Sequence, residues 1–257
     1  MRRDRAVPSD DMDGDRATRT ALARRAISMI DLTDLDDDHS PDGIDALCER
    51  AIVHGTAAVC VWPEFVERCA AARSGSSLRV ATVVNFPGGE DAIDDVVALV
   101  ERSRSAGADE IDVVIPWRAV LQGDTGHAID LLAATRLATG DGTLKVILES
   151  GAVADSATVR ELADLAIDGG ADFLKTSTGK TARGATLEAA ATMLGAIADA
   201  QRAVGLKPSG GIRTFDDAER YLALADGAMG TGWATPATFR FGASGLLDVL
   251  LGEIGST

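Results

Sequence analysis

Four lysines stand apart in a chain whose positive charge is otherwise carried by arginine: Lys145, Lys175, Lys180 and Lys207, with none before residue 145. Lysine offers what arginine cannot, an amine able to lose its proton and attack a carbonyl carbon to form a Schiff base. An ordinary lysine, with a pKa near 10.4, is neutral in only about 1 molecule in 2,500 at pH 7. A second cation close by, or burial away from water, disfavours the charged form and raises that fraction. Lysines gathered inside a protein can therefore make a nucleophile. Asp112, in Glu110-Ile-Asp-Val-Val-Ile115, is a candidate proton-transfer group or counter-ion beside them. Strand alternation gives it the face of Val114, opposite Ile111, Val113 and Ile115. The alternative is structural, with the lysines neutralised as buried ions by Asp31, Asp112 or Glu149.

Two glycine-bearing segments suggest a second kind of chemistry: Ser209-Gly-Gly-Ile212 and Phe241-Gly-Ala-Ser-Gly245. Glycine lets backbone N–H groups approach phosphate oxygens, Ser244 adds a hydroxyl, and a helix starting there favours an anion. Lys180, directly after Gly179, reads either as a surface charge or as a phosphate contact. Cys60, in Val59-Cys-Val-Trp-Pro63, reads as a small buried hydrophobe, because it has no histidine partner. His39, His54 and His127 are isolated and the three cysteines form no CxxC pair, so no metal site is expected.

These residues need elements to position them. Short β-branched apolar runs alternate with Ala/Leu-rich helical stretches along the chain, and Gly or Asp marks the joins. Strands are expected near 27–32, 57–61, 78–84, 110–115, 144–148, 171–175, 204–207 and 239–243. Helices are expected at 42–54, 64–73, 91–105, 126–138, 156–168, 186–203, 215–225 and 244–253, with a short one ahead of the first strand. Ser156 and Thr186 are the expected N-caps. Eight strands each followed by a helix is the count of a TIM (β/α)8 barrel, an α/β fold. A doubly wound open sheet is the rival, but no GxGxxG follows an early strand and no Pro/Gly/Ser-rich linker divides the chain. Residues 1–18 read as a polar, flexible arm and 19–257 as one barrel domain.

In such a barrel the active site lies at the C-terminal ends of the strands. Polar residues at those ends are Asp31 and Thr33, Cys60, Asn85, Asp112, Lys145 and Glu149, Lys175 with Thr176, and Lys207. Three of the four lysines thus fall on consecutive strands, five to seven. The phosphate segments follow strands seven and eight, the usual phosphate site of this fold.

Composition narrows the partners. Against 25 Lys+Arg stand 40 Asp+Glu, a formal charge of -15, which argues against general nucleic-acid binding. No apolar run approaches a membrane span, and the polar N-terminus lacks the apolar stretch of a signal peptide, so a cytoplasmic protein is expected.

At these same residues the sequence resembles the deoxyribose-phosphate aldolases, class I enzymes that work through a lysine Schiff base without metal. The likeness runs through Asp31-Leu-Thr-Asp-Leu35, Val59-Cys-Val-Trp-Pro63, Ala81-Thr-Val-Val-Asn-Phe-Pro87 and Gly107-Ala-Asp-Glu-Ile-Asp-Val-Val-Ile-Pro116. It continues through Leu144-Lys-Val-Ile-Leu-Glu149, Gly170-Ala-Asp-Phe-Leu-Lys-Thr-Ser-Thr-Gly-Lys180, Gly205-Leu-Lys-Pro-Ser-Gly-Gly-Ile-Arg213 and Arg240-Phe-Gly-Ala-Ser244. Spacing leaves open which lysine is the nucleophile. The resemblance implies Lys175, with Lys207 depressing its pKa and Asp112 in proton transfer. It further implies that Asp31 arranges the lysine pair, that Cys60 and Lys145 belong to the pocket, and that Thr178, Gly179, Lys180, Gly210, Gly211 and Ser244 hold the phosphate and sugar end. Thr33, Thr176 and Gly242 are expected among the substrate contacts. The implied reaction is reversible cleavage of 2-deoxy-D-ribose 5-phosphate to glyceraldehyde 3-phosphate and acetaldehyde, in deoxyribose phosphate catabolism, with no cofactor and in a homodimer.

Two departures from some relatives are visible. Ser244-Gly245 stands where they carry a Ser-Ser pair, and the only tyrosine is Tyr221, expected in mid-helix, where they end on a terminal tyrosine. Water is then the expected proton source. The rivals to this reading are another lysine-dependent barrel enzyme, such as a second phosphosugar aldolase or a pyridoxal-phosphate enzyme, and a non-catalytic phosphosugar-binding barrel.

Overall fold

The computed structural model describes residues 9–38, 40–153 and 155–255, so that His39 and the first eight residues of the expected arm lie outside the described residues. All eight expected strands are present: β1 (Ile30–Asp34), β2 (Ala58–Val61), β3 (Arg79–Val84), β4 (Glu110–Val114), β5 (Thr143–Ile147), β6 (Phe173–Lys175), β7 (Gly205–Lys207) and β8 (Phe241–Ala243). They pair in parallel in the order β7-β6-β5-β4-β3-β2-β1-β8. Bridges from Leu206 to Phe239 and from Ser209 to Gly242 bring the two ends of that order together. The ring so closed, with helices on its outside, is a TIM (β/α)8 barrel.

The helices are α1 (Ser9–Ile27), α2 (Pro41–His54), α3 (Val66–Ala72), α4 (Ile93–Ser105), α5 (Trp117–Leu121), α6 (Thr125–Thr139), α7 (Ser156–Asp168), α8 (Leu187–Asp199), α9 (Phe215–Met229) and α10 (Leu246–Gly255). Each main helix buries an apolar stripe on the strands, as Val159, Leu162, Ala163 and Ala166 do on α7. The strands are buried on both faces, which is why their Val, Ile and Leu runs show little alternation.

Four expectations need correction. The arm assigned to residues 1–18 is helical from Ser9 onward, and α1 continues to Ile27, the first residue of the expected first strand, which begins instead at Ile30. Arg19 ties that helix to Glu253 on α10 through two hydrogen bonds, and Arg25 ties it to Asp226 on α9 in the same way. The short helix α5 was not expected, because five residues are too few to show a periodicity. The cap of α7 is Asp155, whose carboxylate accepts from the Thr158 N–H, and Ser156 is already inside the helix. Thr186 does cap α8, accepting from the Ala189 N–H. That helix ends at Asp199, four residues early, where Ala200 turns extended and Arg202 donates to the Ala171 carbonyl. Among the described residues no helix is long and apolar enough to cross a membrane.

Candidate active site

Parallel pairing places the key residues side by side. Asp112 on β4 lies opposite Lys145 on β5, and Lys175 on β6 lies opposite Lys207 on β7. Their side chains turn into the barrel and converge on one carboxylate. Asp112 Oδ2 accepts from the Nζ of both Lys175 and Lys207 at 2.7 Å, and Oδ1 accepts from Lys145 Nζ at 2.8 Å. Lys207 also meets Asp31 Oδ2 at 2.6 Å, while Lys145 meets Glu110 Oε2 at 2.6 Å.

The lysines differ in what lies above them. Lys145 and Lys207 are fully buried, whereas Lys175 is 3% exposed and forms part of a cavity of about 480 Å³ over the strand ends. Burial pulls all three amines down, because the interior solvates an ammonium poorly. At Lys207 the carboxylates of Asp112 and Asp31 overturn that effect and hold the pKa raised. At Lys145 those of Asp112 and Glu110 do the same. At Lys175 burial wins: Asp112 pulls the pKa up, Lys207 pushes it down, and the net shift is downward. Burial alone would raise Asp112, but Lys145, Lys175 and Lys207 hold its carboxyl well below the usual range. Asp31 is likewise lowered, burial being outweighed by Lys207, Arg240 and Lys145.

The rest of the cavity suits an anion. Thr178, Gly179, Lys180, Ser209, Gly210, Gly211, Arg213, Gly242, Ser244 and Gly245 line it, and α10 starts just beyond Gly245. Gly210 has φ +84°, and a Cβ there would stand 3.1 Å from Gly184 Cα, so a close crossing of two loops depends on glycine. A Cβ at Gly242 would meet Ser209 Oγ at 2.2 Å and Lys207 Cε at 3.2 Å. The loop after β6 is held from β5: Glu149, at φ 51°, accepts from Thr178 Oγ1 at 2.6 Å, from the Thr178 N–H, and from Thr181 Oγ1 at 3.1 Å.

The structure separates the expected site residues into two groups. Thr33, Lys175, Thr178, Gly179, Lys180, Gly210, Gly211, Gly242 and Ser244 line the cavity. Asp31, Cys60, Asp112, Lys145 and Lys207 are sealed beneath it at 0% exposure. Thr176 belongs to neither, since its hydroxyl donates to the Ser209 carbonyl and accepts from the Ser209 N–H, clamping the loops after β6 and β7. Asn85 is spent on the Val114 carbonyl and the Asp91 N–H. Cys60 packs with Leu35, Ala81 and Val83, and burial pushes its thiol up, away from a nucleophilic thiolate. Among the described residues no group of three His, Cys, Asp or Glu side chains is placed to hold a metal ion.

Three residues beyond the expected set belong to this region. Arg213 lines the cavity, and the Lys207-Pro-Ser-Gly-Gly-Ile-Arg213 segment already ended on it. Glu110 and Arg240 join the buried ion network from below. Strand alternation could have found both, since Glu110 stands two residues before Asp112 and Arg240 two before Gly242.

Comparisons with known proteins bear on the family and the fold. A curated deoxyribose-phosphate aldolase of Agrobacterium fabrum is 49% identical over 233 residues, 89% of this chain and 90% of that one. A crystal structure from Toxoplasma gondii ME49, provisionally named a deoxyribose-phosphate aldolase, superimposes with a TM-score of 0.86 at 25% identity, covering 94% of this chain and 97% of that one. One from Coccidioides immitis, named with the same reserve, gives 0.81 at 27% identity over 96% and 98%. The sequence model of the DeoC/LacD family aldolases matches residues 25–250, the stretch that carries every strand and every lysine, and the chain belongs to that family.

Proposed function

We propose that this aldolase reversibly cleaves 2-deoxy-D-ribose 5-phosphate to D-glyceraldehyde 3-phosphate and acetaldehyde, with Lys175 as the Schiff-base nucleophile. The observation that carries the proposal is that Lys175 alone among the buried lysines opens on the cavity, and its amine is the one pushed toward the neutral form. The 49% identical Agrobacterium aldolase supports the substrate.

In this reading the phosphate lies among Gly179, Lys180, Gly210, Gly211 and Ser244, near the start of α10, and the sugar chain runs down to Lys175. The neutral amine adds to the aldehyde carbon, and the carbinolamine loses water to leave an iminium. The C3 hydroxyl then gives up its proton, and the C2–C3 bond breaks as glyceraldehyde 3-phosphate forms. The bond's electron pair moves to the iminium nitrogen, giving an enamine. Protonation at C2 and addition of water release acetaldehyde and restore the amine. Asp112 is sealed under the cavity, so the proton reaches it through water or along the lysine pair. Lys207 stays charged between Asp112 and Asp31 and opposes protonation of its neighbour.

Borohydride reduction in the presence of acetaldehyde, followed by peptide mapping, should place an ethyl group on Lys175. Labelling of undiminished yield in Lys175→Arg would move the nucleophile elsewhere. The homodimer expected from the resemblance belongs to the same proposal, and light scattering returning the mass of one chain would remove it. We also place the enzyme in the cytoplasm, supported by three buried cysteines without disulfide partners; cell fractionation tests that assignment.

A further inference from the structure

Beneath the lysine pair lies a layer that touches no part of the cavity. Arg240 stands one residue ahead of β8 and Glu110 is the first residue of β4, so both enter the barrel from the end opposite the site. Arg240 Nη1 meets Asp31 Oδ1 at 2.6 Å, and Nη2 meets Glu110 Oε1 at 3.1 Å. Its Nε donates to the Pro236 carbonyl, and the guanidinium lies 5.5 Å from the centre of the Phe173 ring. Both carboxylates continue upward: Asp31 to Lys207, and Glu110 to Lys145. Arg240 therefore reaches Asp112 along two branches, each one carboxylate and one lysine long.

Among the described residues the charges between the strands are few enough to follow one by one; Glu149, though buried, stands beyond the end of β5 and is taken up by Thr178 and Thr181. Three carboxylates come from β1 and β4: Asp31, Glu110 and Asp112. Four cationic side chains come from β5, β6, β7 and the approach to β8: Lys145, Lys175, Lys207 and Arg240. Cys60 on β2 faces the same space as a thiol. With Arg240 in place, the carboxylates are matched by the guanidinium, Lys145 and Lys207, and the fourth cation is in excess. A low-polarity interior resists an unmatched charge, and the excess falls on the amine that has only one carboxylate partner and an opening to the cavity. That amine is Lys175.

We propose that Arg240, supported by Glu110, is a positioning residue of the lysine site, setting the charge balance that leaves Lys175 as the amine that gives up its proton. It acts through Asp31 and Lys207 on one side and through Glu110 and Lys145 on the other, and never meets substrate. Arginine suits this role because, unlike a lysine, it does not deprotonate and so cannot absorb the imbalance itself. The proposal rests on Lys175 being the Schiff-base lysine.

The test is the pH midpoint of acetaldehyde labelling under cyanoborohydride, read at each lysine by peptide mapping. Arg240→Gln leaves one carboxylate unmatched, so the Lys175 midpoint should rise. Labelling on the acid side should then fall about tenfold for every pH unit by which the midpoint moves. Glu110→Gln should move it the opposite way, and the double variant should return it toward the parent. Arg240→Lys keeps a cation that can itself give up its proton, so it should raise the midpoint less than Arg240→Gln does. Should Arg240→Gln fail to fold, Glu110→Gln still carries the test through its opposite sign. Midpoints that stay put while melting temperatures drop would overturn the proposal and leave the pair as a structural plug. Midpoints of Glu110→Gln and Arg240→Gln that move in the same direction would overturn it as well. A label absent from Lys175 in the parent enzyme is a separate failure, that of the Schiff-base assignment.

Discussion

One carboxylate oxygen that accepts from two amines favours a state in which only one of them carries the full charge. Asp112 Oδ2 is that oxygen, with Lys175 and Lys207 each at 2.7 Å. The tie is broken by the second neighbours: Lys207 has Asp31 as another carboxylate partner, whereas Lys175 faces the cavity. The proton is therefore lost first from Lys175. Because Asp112 holds the pKa of Lys175 up, removing its charge should release that amine further. Asp112→Asn should shift the labelling midpoint of Lys175 to lower pH, and on the proposed proton-transfer role of Asp112 kcat for cleavage should fall about 10²–10⁴-fold. A midpoint moving to higher pH would contradict the assignment. At this scale the residue types were legible, since lysines confined to residues 145–207 and an inward aspartate are visible in the sequence. Their rank was not, because Asp31 and Lys207 are remote in sequence and meet only when the ring closes.

Elements contribute register and loop geometry. Parallel pairing of β6 with β7 sets Lys175 against Lys207, and pairing of β4 with β5 sets Asp112 against Lys145, so the three lysines and the carboxylate they share come from four adjacent strands. Strand positions were readable from short β-branched runs, and most helices from their apolar spacing. Ends were less so: a Ser at position 156 reads as a cap as well as the Asp before it, and only the backbone turn selects Asp155. Glu149 illustrates a loop function that no strand pattern reveals. Its left-handed backbone turns the carboxylate toward the loop after β6, where it takes hydrogen bonds from Thr178 and Thr181. Glu149→Gln keeps the size but replaces charged acceptors with a weaker amide, a loss of about 1–3 kcal/mol if one donor is left unpaired. The expected outcome is a KM for the phosphorylated substrate raised about tenfold, with the pH midpoint of acetaldehyde labelling at Lys175 in place. An unchanged KM would show that the loop holds its shape without this carboxylate.

The whole molecule carries its charges in two separate populations. The surface is acidic, in keeping with the formal charge of -15, while the barrel interior matches cations to carboxylates side by side. The interior population links stability to acid. Asp31 and Asp112 hold folded-state pKa values below those of free aspartates, so their contribution is complete above about pH 4 and is lost as the pH falls toward the depressed values. Melting temperature should therefore fall steadily as the pH drops below about 4, and the fall should be shallower in Asp31→Asn, from a lower starting stability. An acid limb of unaltered slope in that variant would place the linkage in other carboxylates. The sequence by itself determined the barrel, through eight alternations of strand and helix, and the residue types of the proposed chemistry, through lysines kept for strands five to seven and glycines kept for the loops beyond. Tertiary structure decided which lysine opens on the cavity, which are sealed, and that Glu110 and Arg240 complete the network. The physical reason is that side-chain type and period are local properties of the chain, whereas a proton's energy depends on distance and burial among groups brought together from many strands.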